Sequence, residues 1–151
     1  MKIPPGFGKA SAYLLLVTLQ LLLGGCEKSA PEEEIRQALT EIENAAEAGD
    51  TGTLMDYLDD RAQLQRHGHE LTRQEIQRLL MGIMLRYRHR QVTFTNIRIE
   101  VDPVTLTQAR VQLTALVWGG RQRLPESADT FQVDSQWQRD GQWRIRQVST
   151  R

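Results

Sequence analysis

Three histidines and a single cysteine are the side chains of this 151-residue chain with the most distinctive chemistry. His67 and His69 are separated by one residue, so an extended segment would place both imidazoles on one side. Glu70 follows directly, and imidazole and carboxylate groups together can bind a transition metal. A closed metal site needs more ligands, and neither a cysteine nor a third histidine lies nearby in the sequence. We therefore expect a solvated loop before Thr72, and we predict no metal and no cofactor.

The only cysteine, Cys26, follows an apolar run that extends from Ala10 to Leu23. Two lysines precede the run, and a positive segment before about 7 to 15 apolar residues is typical of a secretory signal. A membrane-spanning helix needs about 20 apolar residues. We therefore expect residues 1–25 to be a signal peptide, the alternative being an uncleaved anchor helix.

The sequence Leu23-Gly24-Gly25-Cys26 resembles the lipobox of bacterial lipoproteins, in which an aliphatic residue and two small residues precede the cysteine. The resemblance implies cleavage between Gly25 and Cys26 and acylation of the Cys26 thiol. Several acyl chains anchor a protein stably, at about 0.8 kcal/mol per buried methylene. Glu27 stands where an Asp retains enteric lipoproteins in the inner membrane. The resemblance thus implies a domain that faces the periplasm, with the outer membrane favoured over the inner one.

The charges of the chain are balanced overall and unevenly distributed. Nineteen Lys and Arg face 19 Asp and Glu, for a formal net charge of zero. Residues 26–60 have a net charge of −9, whereas residues 61–151 have a net charge of +7. A protein that neutralises nucleic-acid phosphates needs an overall basic surplus, so we expect no nucleic-acid partner. One cysteine also excludes a disulfide framework.

The first half of the chain predicts three helices. A capping-box pattern at Ser29 starts the first helix, and Gly49 ends it. Asp50 caps a short second helix. A second capping box, Thr72-Arg73-Gln74-Glu75, opens a third helix that continues to about Arg88. Apolar residues at helical spacing support all three helices, at positions 35, 39, 42, 54, 57, 58, 76, 79, 80, 83, 84 and 87.

Beyond residue 91 the apolar residues alternate with a period of two, which predicts strands. Phe94 and Ile97 have opposite parity, so we expect a bulge between them. Asp102-Pro103 and Asp140-Gly141 are turn signals between the strands. Helices followed by an antiparallel meander predict an α+β fold, with three helices packed on a curved sheet of four or more strands.

This order of elements resembles the nuclear transport factor 2 and ketosteroid isomerase superfamily, including its SnoaL-like members. The resemblance spans most of residues 32–149 and rests on three patterns: Ala48-Gly49-Asp50, Tyr57-Leu58-Asp59-Asp60 and Arg139-Asp140-Gly141-Gln142-Trp143-Arg144-Ile145. It implies a cystatin-like cone for residues 32–151, joined to Cys26 by a short tether at residues 26–31. Superfamily members include isomerases, dehydratases and noncatalytic binding modules, so the resemblance leaves the function open.

The chemistry of the isomerases can be compared position by position. It requires an Asp base and an oxyanion hole made of a Tyr and a protonated Asp. By resemblance the Tyr position falls on Ile42, which has no hydroxyl, and the second Asp position falls on Ser135. The base position falls on Gln65 or Arg66, neither of which can take a proton from carbon at neutral pH. We therefore expect no isomerase activity.

The sequence favours a noncatalytic binding module for a small apolar ligand or an envelope partner. Expected lining residues of the cone are Tyr57, Leu80, Val111, Leu113, Phe131, Ser135 and Trp137. A basic patch for anionic headgroups or an acidic partner would comprise Arg86, Arg88, Arg90, Arg121 and Arg123. One alternative is an enzyme that pairs His67, His69 or His89 with a carboxylate in the cone, as scytalone-dehydratase-like members would. The other is a dimeric envelope assembly factor.

Overall fold

The computed structural model describes residues 30–120 and 127–151. The predicted signal peptide, Cys26, and Arg121 and Arg123 lie outside the described residues. The helices are α1 (Pro31–Ala48), α2 (Thr51–Asp56) and α3 (Arg73–Arg86). The strands are β1 (Leu58–Arg66), β2 (His69–Thr72), β3 (His89–Val101), β4 (Gln108–Gly120), β5 (Ser127–Asp140) and β6 (Gln142–Thr150).

The six strands form one curved, unclosed sheet in the order β2-β1-β6-β5-β4-β3. Neighbouring strands are antiparallel except β1 and β6, which run parallel. With helices packed on this sheet, the protein has the predicted α+β cystatin-like fold. The sheet differs from the expected antiparallel meander in its parallel pair and in the hairpin β1–β2.

The hairpin β1–β2 replaces the predicted solvated loop, so that prediction was wrong. Its two turn residues, His67 at φ 49° and Gly68 at φ 78°, are both left-handed, the backbone geometry of a tight type I′ hairpin turn. β1 begins at Leu58, where the sequence predicted helix. Its sequence is mostly charged and polar, and its partner β6 comes from the far end of the chain, so no local alternation marks it as a strand.

The ends of α1 and α2 follow the sequence signals with one exception. The N-cap of α1 is Ala30, so a capping box at Ser29, which lies outside the described residues, is not the one that starts this helix. Gly49 ends α1 in the left-handed conformation at φ 76°, as predicted. The Asp50 carboxylate accepts the Thr53 N–H at 3.1 Å and caps α2 as predicted.

The predicted capping box of α3 and the predicted bulge of β3 are both present. Thr72 and Glu75 form the box, and the helix ends at Arg86, two residues before the expected end. In β3 the pairing with β4 shifts between Thr95 and Arg98, and Asn96 has a φ of 53°. Because of this bulge, apolar residues on both sides of it pack into the same core.

The main core lies between α1 and the face of the sheet that we call the inner face. Ile35 and Val111 are fully buried there, and Trp137 and Trp143 are nearly so. Alanines in both layers, such as Ala38 and those of β4, let helix and sheet approach closely. A second cluster joins α2, β1 and α3 through Met55, Leu58, Ala62 and Ile76.

Charged side chains hold both ends of α1. At its first turn, Glu34 accepts hydrogen bonds from Trp143 Nε1 and from Arg139 Nη2, each at 3.0 Å. At its last turn, the Arg90 guanidinium donates to the carbonyls of Ala46 at 3.0 Å and Glu47 at 3.3 Å. Arg90 also donates to two carbonyls at the end of α3, those of Met84 and Tyr87. One cation therefore satisfies the free carbonyls of two helix ends.

We expect Gly49→Ala to lower the free energy of unfolding by at least about 1 kcal/mol, because alanine is strained at a positive φ. An added methyl group would also contact the Arg90 guanidinium, whose Cζ lies 3.3 Å away. Urea denaturation measures the loss. Gly82→Ala is the matched control: this glycine lies inside α3 with no atom within 4 Å of an added Cβ, so the change should stabilise the helix. Equal effects of the two substitutions would contradict the left-handed conformation of Gly49 and its close packing against Arg90.

Candidate functional site

The predicted lining residues fall into two groups on the inner side of the sheet. Val111, Leu113, Ser135 and Trp137 are buried under α1 in the main core. Phe131 and Tyr57 are half-buried at the margin of that core, and Leu80 is half-buried against the second cluster, which joins α2, β1 and α3. The first group is packed by protein atoms, so only the second group retains surface for a ligand.

The half-buried residues of the inner face form an apolar strip that we define as Val117, Phe131 and Val133. α1 packs on β3 at one side of the sheet, and α3 packs on β1 and β2 at the other. The strip belongs to β4 and β5, between these two packed regions. Its three side chains are half-buried against the main core.

The polar groups beside this strip already have partners. The Ser135 hydroxyl donates to the Val111 carbonyl at 3.2 Å and accepts the indole N–H of Trp137 at 2.9 Å. Both bonds lie within the sheet, and they fix the orientation of the Trp137 ring. Ile42, at the position of the isomerase Tyr, is half-buried against the main core.

Tyr57 and Glu41 form a pair that the sequence did not indicate. The Tyr57 hydroxyl donates to the Glu41 carboxylate. Burial, together with the hydrogen bond and negative charge of Glu41, raises the pKa of Tyr57 to about 12. The phenol therefore stays protonated at neutral pH and offers a polar group beside the main core. The sequence held one weak indication of where Glu41 lies: it comes seven residues after Glu34, so the two share one side of α1.

All three histidines are exposed. His67 lies in the β1–β2 turn, His69 begins β2, and His89 begins β3. None of them belongs to the buried main core. Within residues 30–120 and 127–151, no three His, Cys, Asp or Glu side chains come together in a way that could hold a metal ion.

The predicted basic patch is only partly a surface feature. Arg86 and Arg88 are exposed at the end of α3, and the Arg86 guanidinium lies 5.4 Å from the Tyr87 ring centroid. Arg90 is half-buried and its donors are engaged by helix-end carbonyls. We conclude that Arg90 positions helices, and that an anion patch, which stays a prediction, would depend on the other arginines.

The outer face of the sheet carries a polar groove that sequence reasoning missed. Two adjoining cavities of about 790 and 400 Å³ share Arg110 and Asp134 in their linings. Arg110 Nε donates to both Asp134 oxygens, at 3.0 and 3.2 Å, and Gln112 Nε2 donates to one of them at 3.1 Å. These bonds hold the pKa of Asp134 below its usual range. A third cavity, of about 240 Å³, includes Asp59, Asp60 and Asp140 in its lining.

A signal for this groove was available in the alternation of the strands. Even-numbered positions of β4 and β5 are mostly polar, whereas the odd-numbered ones carry the core, so the two faces were separable by parity. The Arg110–Asp134 ion pair across the two strands could not be predicted in this way, because it depends on the register between them. In the described part of the chain, no helix is both long and apolar enough to cross a membrane.

Comparison with known proteins identifies the fold. No protein-family model matches the chain, and no curated protein matches it. A proposed scytalone dehydratase from Novosphingobium aromaticivorans superposes with a TM-score of 0.69 at 19% identity, over 80% of this chain and 82% of that one. A proposed dehydratase of the nuclear transport factor 2-like family from Streptomyces avermitilis gives 0.65 at 19% identity, over 80% and 94%. The protein thus has a nuclear transport factor 2-like fold, which occurs in both enzymes and ligand-binding proteins.

Proposed function

We propose that the protein is a membrane-anchored periplasmic lipoprotein whose domain binds a small apolar ligand without catalysis. The observation that carries the ligand part is the apolar strip of Val117, Phe131 and Val133, which is half-buried between the helices. When a ligand covers apolar surface that the protein leaves partly open, binding is favoured by about 25 cal/mol per Å² of surface removed from water. The Tyr57–Glu41 pair, at the margin of the same core, would orient one polar group of such a ligand.

The residues at the positions of the isomerase machinery favour binding over catalysis. The positions that correspond to the isomerase machinery hold Ile42 and the sheet-bonded Ser135, and the histidines are exposed. The similarity to two proposed dehydratases lies below 20% identity and extends to the fold alone. The alternative is that the outer face of the sheet binds an envelope protein or a second copy of this chain. That face is polar and carries the Arg110–Asp134 pair, so it offers less apolar area than the inner strip.

The ligand proposal predicts a lipophilic adduct on protein extracted from its own envelope. Native mass spectrometry should detect a mass beyond that of the acylated chain. Phe131→Glu should remove the adduct, because a carboxylate on the strip cannot be desolvated by an apolar ligand. Leu116→Glu is the matched control, since Leu116 is also half-buried but has the opposite parity on β4. An empty wild-type protein, or the same loss in both variants, would contradict the proposal.

The anchor proposal rests on the lipobox-like sequence that ends at Cys26. We expect cells given an alkyne-labelled palmitate to incorporate the label into wild-type protein and to lose all of it in Cys26→Ser. Wild-type protein should float with the outer-membrane fraction, whereas the variant should lose that density, because the acyl chains supply the anchoring energy. Gly6→Ser, a change in the signal region outside the lipobox, should leave both readouts unchanged. Unlabelled wild-type protein would overturn the anchor.

A further inference from the structure

Three segments meet at one end of the domain, which we call the hairpin end: residues 31–34 of α1, 102–107 of the β3–β4 turn and 139–143 of the β5–β6 turn. Glu34 bonds to Arg139 and Trp143, which joins the first turn of α1 to the β5–β6 turn. The Arg139 N–H donates to the Thr107 carbonyl at 2.8 Å, which joins the β3–β4 turn to the same end. The chain that comes from Cys26 enters the domain here.

The opposite end of the domain is far from this entry point. α1 has 18 residues, so at about 1.5 Å per residue the helix is about 27 Å long. That last turn is bound by Arg90, which also binds the end of α3. Leu85 and Arg86 lie at that end of α3, and the first pairs of β3 with β4 bring Trp118 to the same end. A chain of five residues from Cys26 to Pro31 spans at most about 17 Å. The tether therefore keeps the hairpin end within about 17 Å of the lipid, whereas the Arg86 end lies at the far end of α1.

The β3–β4 turn at the hairpin end displays two apolar side chains to solvent. Val104 is 88% exposed and Leu106 is 50% exposed. Asp102 holds the turn in one shape, because its carboxylate accepts the N–H groups of Val104 at 2.8 Å and Thr105 at 3.2 Å. The Leu106 N–H donates to the Asp102 carbonyl at 2.9 Å, and Leu106 has a φ of 53°, which is unfavourable for a leucine. A rigid turn with exposed apolar tips loses little conformational entropy when it enters an apolar layer.

We propose that Val104 and Leu106 insert into the interfacial layer of the bilayer that holds the acylated Cys26, and so fix the domain upright on the membrane. This inference rests on the proposed lipid anchor, because the length of the tether decides which end meets the lipid. The neighbouring Glu32 and Glu33 are exposed and acidic. The contact is therefore apolar, and anionic headgroups do not attract it. The exposed arginines of α3 point to the aqueous side, where an acidic partner, and not the headgroups, can reach them.

The test uses the mature lipidated protein, which begins at the acylated Cys26, in vesicles of neutral phosphatidylcholine. Acylation consumes the only native cysteine, so Val104→Cys provides one free thiol for an environment-sensitive fluorophore. Leu85→Cys is the matched control, because Leu85 is 81% exposed at the other end. We expect the probe at residue 104 to shift to the blue and to lose at least half of its emission to bromine-labelled acyl chains. The probe at residue 85 should change in neither respect.

Each other outcome overturns the inference, and the outcomes identify which proposal has failed. If the labelled protein floats with the vesicles but the probe at residue 104 stays aqueous, the orientation is wrong and the anchor stands. Quenching at residue 85, alone or together with residue 104, means that the domain lies inverted or on its side. If the protein does not float, the lipid anchor itself is contradicted, and the inserted turn with it. Addition of anionic lipid should leave the quenching at residue 104 no stronger than in neutral vesicles.

Discussion

The position of α1 on the sheet is the constraint on which the remaining structure depends, and it is fixed by charge at both ends. Glu34 ties the first turn to Trp143 and Arg139, and Arg90 ties the last turn to the end of α3. Between these points, fully buried Ile35 packs on the sheet with alanines around it. Hydrogen bonds to charged groups are worth about 1.5 to 3 kcal/mol each. The bonds at each end of α1 are therefore a sizeable fraction of the free energy of unfolding of a typical domain, about 5 to 15 kcal/mol.

Fixing α1 in this position divides the inner face into a covered and a partly open region. The covered region holds Val111 and Trp137 and has the density of a core. The partly open region is the strip of Val117, Phe131 and Val133, which a ligand could complete. The same placement of α1 also decides which end of the domain the tether reaches. The proposed ligand site and the proposed orientation on the membrane thus both depend on this one packing arrangement.

Much of the fold was readable from local signals in the sequence. Gly49, Asp50, the Thr72 box and the β3 bulge all lie where the pattern predicted, because each depends on a few adjacent residues. The β1–β2 hairpin was missed for the opposite reason. Its charged strand is defined by pairing with β6, about 80 residues later in the chain, and no local rule reports such a contact.

The candidate site was predictable only as a set of apolar positions. Parity on β4 and β5 placed Val111, Leu113 and Phe131 on one face, but it could not distinguish residues covered by α1 from those left open. The alternation of residues also could not predict contacts between distant parts of the chain, such as the hydrogen bond of Tyr57 with Glu41. Arg90 shows the reverse error, since a residue that belongs to a charge run in sequence is a structural donor in the fold.

A crystal structure of the protein purified with its own envelope lipids tests the ligand site most directly. We expect electron density for an elongated apolar molecule against Phe131 and Val133, with its polar end near the Tyr57 hydroxyl. Density for a ligand confined to the outer groove around Arg110 and Asp134 would contradict an inner-face site. So would side chains of α3 that close over the strip and leave no room for a ligand.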